Sequence, residues 1–269
     1  MSERLTNALK AERLFIPFLT AGDPVPEATI DLALALEQSG AHVLELGIPY
    51  TDPLADGPTI QAASKRALLN GMTLTQAMEL VPQMRKQGLT IPVIVFTYAN
   101  PLYQYGFERF VETASDYEID GVLVPDLPFE ESNAFAAKCK SKGLALISLI
   151  APTSNERIKK IASSAQGFLY CVSSLGVTGT RKELHPKLQS FLDLVKGEAT
   201  IPYVVGFGIG DYKQVEEMNR HANGVVIGSA IVEQIGKHEQ ALKKESSRLE
   251  AINEIKGFVQ KLLYAPQVR

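Results

Sequence analysis

Short apolar runs without polar alternation recur along the chain, and longer stretches with apolar positions three and four apart lie between them. The runs are FIPFLT (15–20), HVLELG (42–47), PVIVFT (92–97), GVLVPD (121–126), ALISLI (145–150), GFLYCV (167–172), PYVVGF (202–207) and GVVIGS (224–229). A strand with one wet face alternates apolar and polar residues; runs apolar throughout predict strands covered on both faces, as in a parallel sheet. Helical periodicity is read over 30–38, 60–69, 74–87, 130–142 and 241–263. Gly40, Gly88 and Gly143 stand just past three of these stretches, where a helix end takes a left-handed residue. In the last helix Leu242, Leu249, Ile252, Ile255, Val259, Leu262 and Leu263 are expected to form the face that packs inward. No linker or change of composition divides the chain, so the expectation is one closed (β/α)8 barrel domain over 1–269, with a doubly wound sheet as the alternative.

Length and composition agree with that picture and narrow the function. The 269 residues suit a barrel of about 250 residues, and 45% hydrophobic content suffices for a large core. Net charge is −3, with Lys and Arg scattered among acids, which argues against a nucleic-acid or anionic-membrane partner. The opening MSERLTNALKAERLF lacks the apolar centre of a signal peptide, and no run approaches the roughly 18 apolar residues of a membrane span, so a cytoplasmic protein is expected. Cys139 and Cys171 have neither CxxC spacing nor a nearby His and are expected to be buried thiols.

In a barrel of this kind chemistry collects at the C-terminal strand ends. Those ends offer Thr20 with Asp23, Glu45, Thr97 with Asn100, Asp126, Ser173, Gly206 with Gly208, and Gly228 with Ser229. None ends in a Lys that could form a Schiff base, and the four histidines show no metal-binding spacing, so carboxylates must carry any acid/base work. Glu45 lies within an apolar strand. It points into the barrel mouth, is desolvated against helices, or pairs with a cation; either of the first two raises its pKa toward the range useful for proton transfer. Asp56, in LADGP, reads equally as a turn residue before a helix that starts with Pro, and Asp52 and Asp126 also sit beside prolines. Three glycine-bearing segments, GVTGT (176–180), GFGIG (206–210) and GSA (228–230), follow the last three strands. There, free backbone N–H groups and a helix N-terminus favour an anion such as phosphate. GFGIG is no dinucleotide fingerprint, because Asp211 stands where GxGxxG needs its third glycine.

The motifs FIPFLTAGDP, LELGIPYTDPLADGPTIQ, TYANPLYQYG, VPDLPFEES, SSLGVTGTR, VGFGIG and GVVIGSAIV, in this order, resemble the tryptophan synthase alpha chain family over nearly the whole sequence. The resemblance implies an α/β fold, a single (β/α)8 TIM barrel with an extra N-terminal helix and additional short helices in the late βα loops. It implies retro-aldol cleavage of indole-3-glycerol phosphate to indole and glyceraldehyde 3-phosphate without a cofactor of its own. It places the catalytic acid/base on Glu45 and the catalytic aspartate on Asp56. It also implies phosphate ligands at Gly179, Gly208, Gly228 and Ser229, an active-site tyrosine at Tyr170, and a pocket for the indole ring lined by Phe18, Tyr98 and Phe207. The implied partner is a PLP-dependent beta chain, joined in an α2β2 heterotetramer, that receives the indole for tryptophan synthesis.

The sequence departs from many relatives at Ser174-Leu175, at Phe168 and at Tyr50-Thr51. The polar segment 173–186 reads as a lid or as an ordinary surface loop, and Thr178 is the candidate to reach Asp56 if it closes. Leu102, Tyr103, Tyr105, Phe107, Leu127 and Phe129 gather in segments near the expected mouth, either as a protein interface or folded back over neighbouring helices. Two other functions stay open from the residues alone: another phosphate-sugar enzyme of aromatic amino-acid biosynthesis on the same barrel, or a non-catalytic subunit that senses a phosphorylated ligand.

Overall fold

The computed structural model describes residues 1–152, 154–172, 186–206 and 208–265. The chain opens with α1 (Glu3–Ala8), β1 (Leu14–Thr20), α2 (Pro26–Gln38), β2 (Leu44–Gly47), α3 (Pro58–Leu69) and α4 (Leu74–Lys86). Next come β3 (Val93–Phe96), α5 (Ala99–Tyr105), α6 (Phe107–Asp116), β4 (Gly121–Leu123), α7 (Asn133–Ser141), β5 (Ala145–Ile150), α8 (Asn155–Ser164) and β6 (Leu169–Val172). Then follow α9 (Pro186–Glu198), β7 (Tyr203–Gly206), α10 (Tyr212–His221), β8 (Gly224–Ile227), α11 (Ser229–Lys237), α12 (Glu239–Leu242) and α13 (Glu245–Leu263). The strands pair in parallel and in chain order, and β8 returns to β1, so the sheet closes as a barrel.

The missing alternation in the strands now has its cause. Leu14, Ile16, Val43, Ile94, Leu123, Ala145, Ile147, Val204 and Val226 fill the barrel interior, while Phe15, Leu19, Leu44, Leu46, Val93 and Val95 face the helices. Leu5 of α1, fully buried, joins the interior cluster beside Leu14, Val43 and Phe168 and closes the N-terminal end. Burying that leucine contributes about 2 kcal/mol. Its helix is tied down by Ser2, whose Oγ accepts the Leu5 N–H at 3.1 Å and donates to the buried Asp120 carboxylate at 2.6 Å. Arg85 holds the other Asp120 oxygen at 3.0 Å. Gly40, Gly88 and Gly143 follow α2, α4 and α7 with φ of 99°, 101° and 79°, the left-handed conformation expected of them.

Several sequence expectations are corrected. The segment 99–116, outside the helices expected from periodicity, forms α5 and α6, which meet at Gly106 with φ 92°. Leu102 is fully buried in the helix-facing core, so it cannot be an interface residue. Tyr105, Phe107, Leu127 and Phe129 pack partly against the same core, Phe107 with its ring 4.7 Å from that of Phe135, which leaves Tyr103, 56% exposed. The helix expected over 241–263 is interrupted at Lys243 and Lys244, and within α13 Leu249 lies off the packed face at 71% exposure, while Ile252, Ile255, Val259 and Leu262, and Leu242 in α12, stay buried. The stretch 130–142 divides into a 3-10 turn, Phe129–Glu131, and α7. Strand ends shift too: Asp126 lies beyond β4, and Gly228 and Ser229 leave β8 to open α11. Cys139 and Cys171 are buried free thiols, as expected. Among the described residues, no helix is long and apolar enough to cross a membrane.

Candidate active site

A cavity of about 510 Å³ opens at the C-terminal end of the barrel. Its walls include Phe18, Ile60, Phe96, Leu149, Val172 and Tyr170, and its polar side chains are Glu45, Asp56 and Ser229. Volume and a mainly apolar lining with few polar groups suit a small organic ligand.

Glu45 reaches this space because of its place in the barrel register. It pairs with Phe18 on β1 and Ile94 on β3, both inward-facing, so its side chain also points inward, and its position near the strand end puts the carboxyl at the cavity. Only 3% of the residue is exposed. Burial first, and the Asp56 charge second, push the carboxyl up to about 8, and no cation among the described residues offsets them. A carboxyl so placed can give a proton and take one back near neutral pH.

Asp56 comes from the loop between β2 and α3, where the expected turn before a proline-led helix is present: Gly57 caps α3 and Pro58 starts it. The turn and the site are therefore the same segment. Gln61 of α3 donates its side-chain amide to the Asp56 carbonyl at 2.8 Å, which fixes the loop on the helix. Burial raises the Asp56 pKa, and the neighbouring Tyr98 hydroxyl works against that rise. The other candidate acids are occupied elsewhere. Asp52 is exposed and accepts the Thr51 hydroxyl at 2.6 Å. Asp126 accepts the Ala99 N–H at 2.8 Å. Asp23 is buried in a two-point contact with Arg66, at 2.7 and 2.9 Å.

Another part of the lining is built from backbone. Gly208 has φ 44°, a left-handed position that few other residues adopt. Gly228 begins α11, and its carbonyl accepts the N–H groups of Ile231 and Val232, both at 3.0 Å. Gly208, Gly228 and Ser229 line the cavity, so a helix N-terminus and glycine backbone share it with the two carboxyl groups. That is an arrangement for an anion in the same cavity as a proton-transfer group.

A family model described as tryptophan synthase alpha chain matches residues 5–260. The chain belongs to the tryptophan synthase alpha chain family. A tryptophan synthase alpha chain from Shouchella clausii is 70% identical over 264 residues, 98% of each chain, and one from Halalkalibacterium halodurans is 60% identical over 261 residues, 97% of this chain and 98% of that one. Among solved structures, the chain resembles a tryptophan synthase alpha chain from Legionella pneumophila with TM-score 0.85 and 33% identity, covering 97% and 96% of the two chains. It also resembles a chain of the tryptophan synthase α2β2 complex from Pyrococcus furiosus, with TM-score 0.84 and 38% identity over 94% of this chain and 98% of that one. As a tryptophan synthase alpha chain, the protein is a lyase of tryptophan biosynthesis.

Of the site residues read from the sequence, Glu45, Asp56, Phe18, Tyr170, Gly208, Gly228 and Ser229 line this cavity. Tyr98 does not line it: the residue is 1% exposed and lies behind the Asp56 loop. Thr178, Gly179, Phe207 and nearly all of the expected lid fall outside the described residues. Sequence reasoning missed Phe96, whose ring stands edge-on to Phe18 at 5.9 Å and completes the apolar wall of this alpha chain. The available signal was parity, since Phe96 lies two residues after inward-facing Ile94 and so shares its face.

Proposed function

We propose that this alpha chain cleaves indole-3-glycerol phosphate to indole and glyceraldehyde 3-phosphate. The observation that carries the reading is the cavity that Glu45 and Asp56 share with the aromatic rings of Phe18 and Phe96 and the glycine backbone of Gly208 and Gly228. The indole ring lies against Phe18 and Phe96, and the phosphate meets the Gly228–Ser229 helix start. The Glu45 carboxyl gives its proton to indole C3, which converts the ring to an iminium whose charge Asp56 stabilises by accepting the ring N–H. The resulting Glu45 carboxylate then takes the proton of the adjacent glycerol hydroxyl. The hydroxyl oxygen forms the aldehyde C=O, the bond from that carbon to C3 breaks, and its electron pair returns through the ring to nitrogen. Glu45 ends as it began, and indole leaves neutral. Because the protonated ring is the electron sink, the reaction needs neither a lysine imine nor a cofactor held by this chain.

The reading includes a PLP-dependent beta chain docked over the mouth in an α2β2 assembly, receiving indole in the cytoplasm. The Pyrococcus furiosus relative belongs to such an α2β2 complex. On this chain, Leu54, 87% exposed in the Asp56 loop, and Tyr103 on α5, the helix that follows β3, are exposed apolar groups that a partner would cover. The test is indole release from indole-3-glycerol phosphate by the purified chain, alone and with a beta chain, beside an Asp56→Asn variant. We expect slow release alone, strong activation by the beta chain, and a loss of about a hundredfold or more in the variant. Absence of indole from the wild-type chain in both conditions would refute the reading.

A further inference from the structure

Tyr98 stands next to the site without touching its cavity. It lies two residues after β3, just before α5, and its backbone carbonyl accepts the Leu102 N–H at 3.4 Å, so it is anchored to the first turn of that helix. Its ring lies between two others, 5.3 Å from Tyr50 and 5.9 Å from Phe96, the latter edge to face. Tyr50 is held in turn by Asn100, whose side-chain amide donates to its hydroxyl at 2.9 Å. The Tyr98 hydroxyl is thus fixed at the end of a packed, nearly inaccessible ring. At that point it accepts the backbone N–H of Ala55 at 3.1 Å. Ala55 is the residue before Asp56, in a loop that otherwise has few anchors. Within it, the Asp56 N–H approaches the Pro53 carbonyl at 3.4 Å, and Gln61 holds the Asp56 carbonyl from the far side.

We propose that Tyr98 is a positioning residue for the reaction: its hydroxyl clamps the Ala55–Asp56 peptide so that the Asp56 carboxylate is held toward the ligand. This rests on the role given to Asp56 above, and it differs from a place for Tyr98 in the ligand pocket. The hydroxyl has a free proton after accepting from Ala55, and it lies beside the Asp56 carboxylate, whose pKa it lowers. Burial first and the Asp56 charge second keep the Tyr98 phenol far above its ordinary pKa, so it stays neutral and keeps that proton to donate. Among the described residues, the titratable groups that face Asp56 are Glu45 from β2, Tyr98 from the end of β3 and Tyr170 from β6, with Asp126 acting on Tyr98 from beyond β4. No cation is among them, so the Tyr98 hydroxyl is the group that favours ionised Asp56 against burial.

The test compares Tyr98→Phe with Tyr50→Phe. The first keeps the ring stack and removes the clamp; the second keeps the stack and the clamp and removes only the bond to Asn100. In Tyr98→Phe we expect kcat to fall about tenfold or more with KM changed by no more than about threefold. The acid limb of its pH profile should move to higher pH, since Asp56 would protonate more readily without the hydroxyl. A readout independent of turnover is amide hydrogen exchange of the peptide containing Ala55, which should quicken in Tyr98→Phe and stay at the wild-type rate in Tyr50→Phe. Unchanged Ala55 exchange in Tyr98→Phe would overturn the proposal, as would an equal loss of kcat in Tyr50→Phe. Failure of wild-type turnover would instead strike the reaction assigned above, and the exchange measurement would still decide the clamp.

Discussion

The Tyr170 hydroxyl lies 2.4 Å from the point where a β-carbon on Gly206 would stand, and two of the ring carbons lie within 2.7 Å of it. The ring of β6 is therefore seated on bare backbone of the neighbouring strand β7. Only a residue without a side chain lets it lie flat against the wall and leave the cavity open. Gly206→Ala should push Tyr170 toward the ligand, raising KM about tenfold or more while circular dichroism shows the barrel intact. Wild-type KM in the variant would mean that the ring has another place to go.

The pH dependence of Glu45 has a definite sign. Its folded-state pKa of about 8 stands above its ordinary 4.5, so between those values the folded protein keeps a proton that the unfolded chain releases. Stability therefore declines as pH rises through that window and levels off above it. Glu45→Gln lacks this slope. Its stability should gain on wild type steadily from about pH 4.5 to pH 8, by about 1.4 kcal/mol per pH unit and several kcal/mol in all, read as a widening gap in melting temperature. Parallel melting curves across that range would show that Glu45 is not held protonated.

The same variant should lose activity. An amide keeps the shape of the carboxyl but neither gives nor takes the proton, so indole release should fall by about a thousandfold or more while glycerol 3-phosphate still binds. In wild type, activity should decline as pH rises above about 8, where the proton needed at indole C3 is lost. Turnover of Glu45→Gln within a few-fold of wild type would remove Glu45 from the reaction.

Gly228 tests the anion end. Among the described residues the nearest atoms to a β-carbon there belong to Phe18, at 3.4 to 3.8 Å, which is ordinary contact, so the fold tolerates a side chain in the unliganded protein. The branches of a valine would instead stand between a phosphate and the backbone. Gly228→Val should weaken binding of glycerol 3-phosphate by about tenfold or more in calorimetry, with little change in melting temperature. Ser229→Ala, which removes one hydrogen bond among several, should cost about threefold. Equal affinity in Gly228→Val and wild type would move the phosphate elsewhere.

Docking of a beta chain is tested where apolar groups are exposed. A Leu54→Asp, Tyr103→Asp double variant should fold normally and lose activation by the beta chain, since both side chains lie largely in solvent. Leu102→Asp would instead bury a carboxylate in the core and should lower the melting temperature sharply. Full activation of the double variant would place the interface on another face.

The strands were legible in the sequence because burial on both faces removes polar residues from them, and the glycines past α2, α4 and α7 were legible because a left-handed backbone selects glycine locally. Glu45 stood out for a related reason, as an acid where the surrounding pattern admits only apolar side chains. Periodicity does not say which face of a doubly covered strand is the inside, however, and only closure of the barrel decided that Glu45 and Phe96 look into the cavity. Nor does local pattern separate two causes of an apolar cluster, so only packing showed that Leu102 belongs to the core and Tyr103 to the surface. Tyr98 is the sharpest case. Its neighbours along the chain say nothing of Ala55, which lies 43 residues away in sequence, and the bond between them exists because β2 and β3 are adjacent staves whose following loops meet at the mouth. Sequence determines what each segment can bury; the closed sheet determines which distant segments share that burial, and so which groups act together.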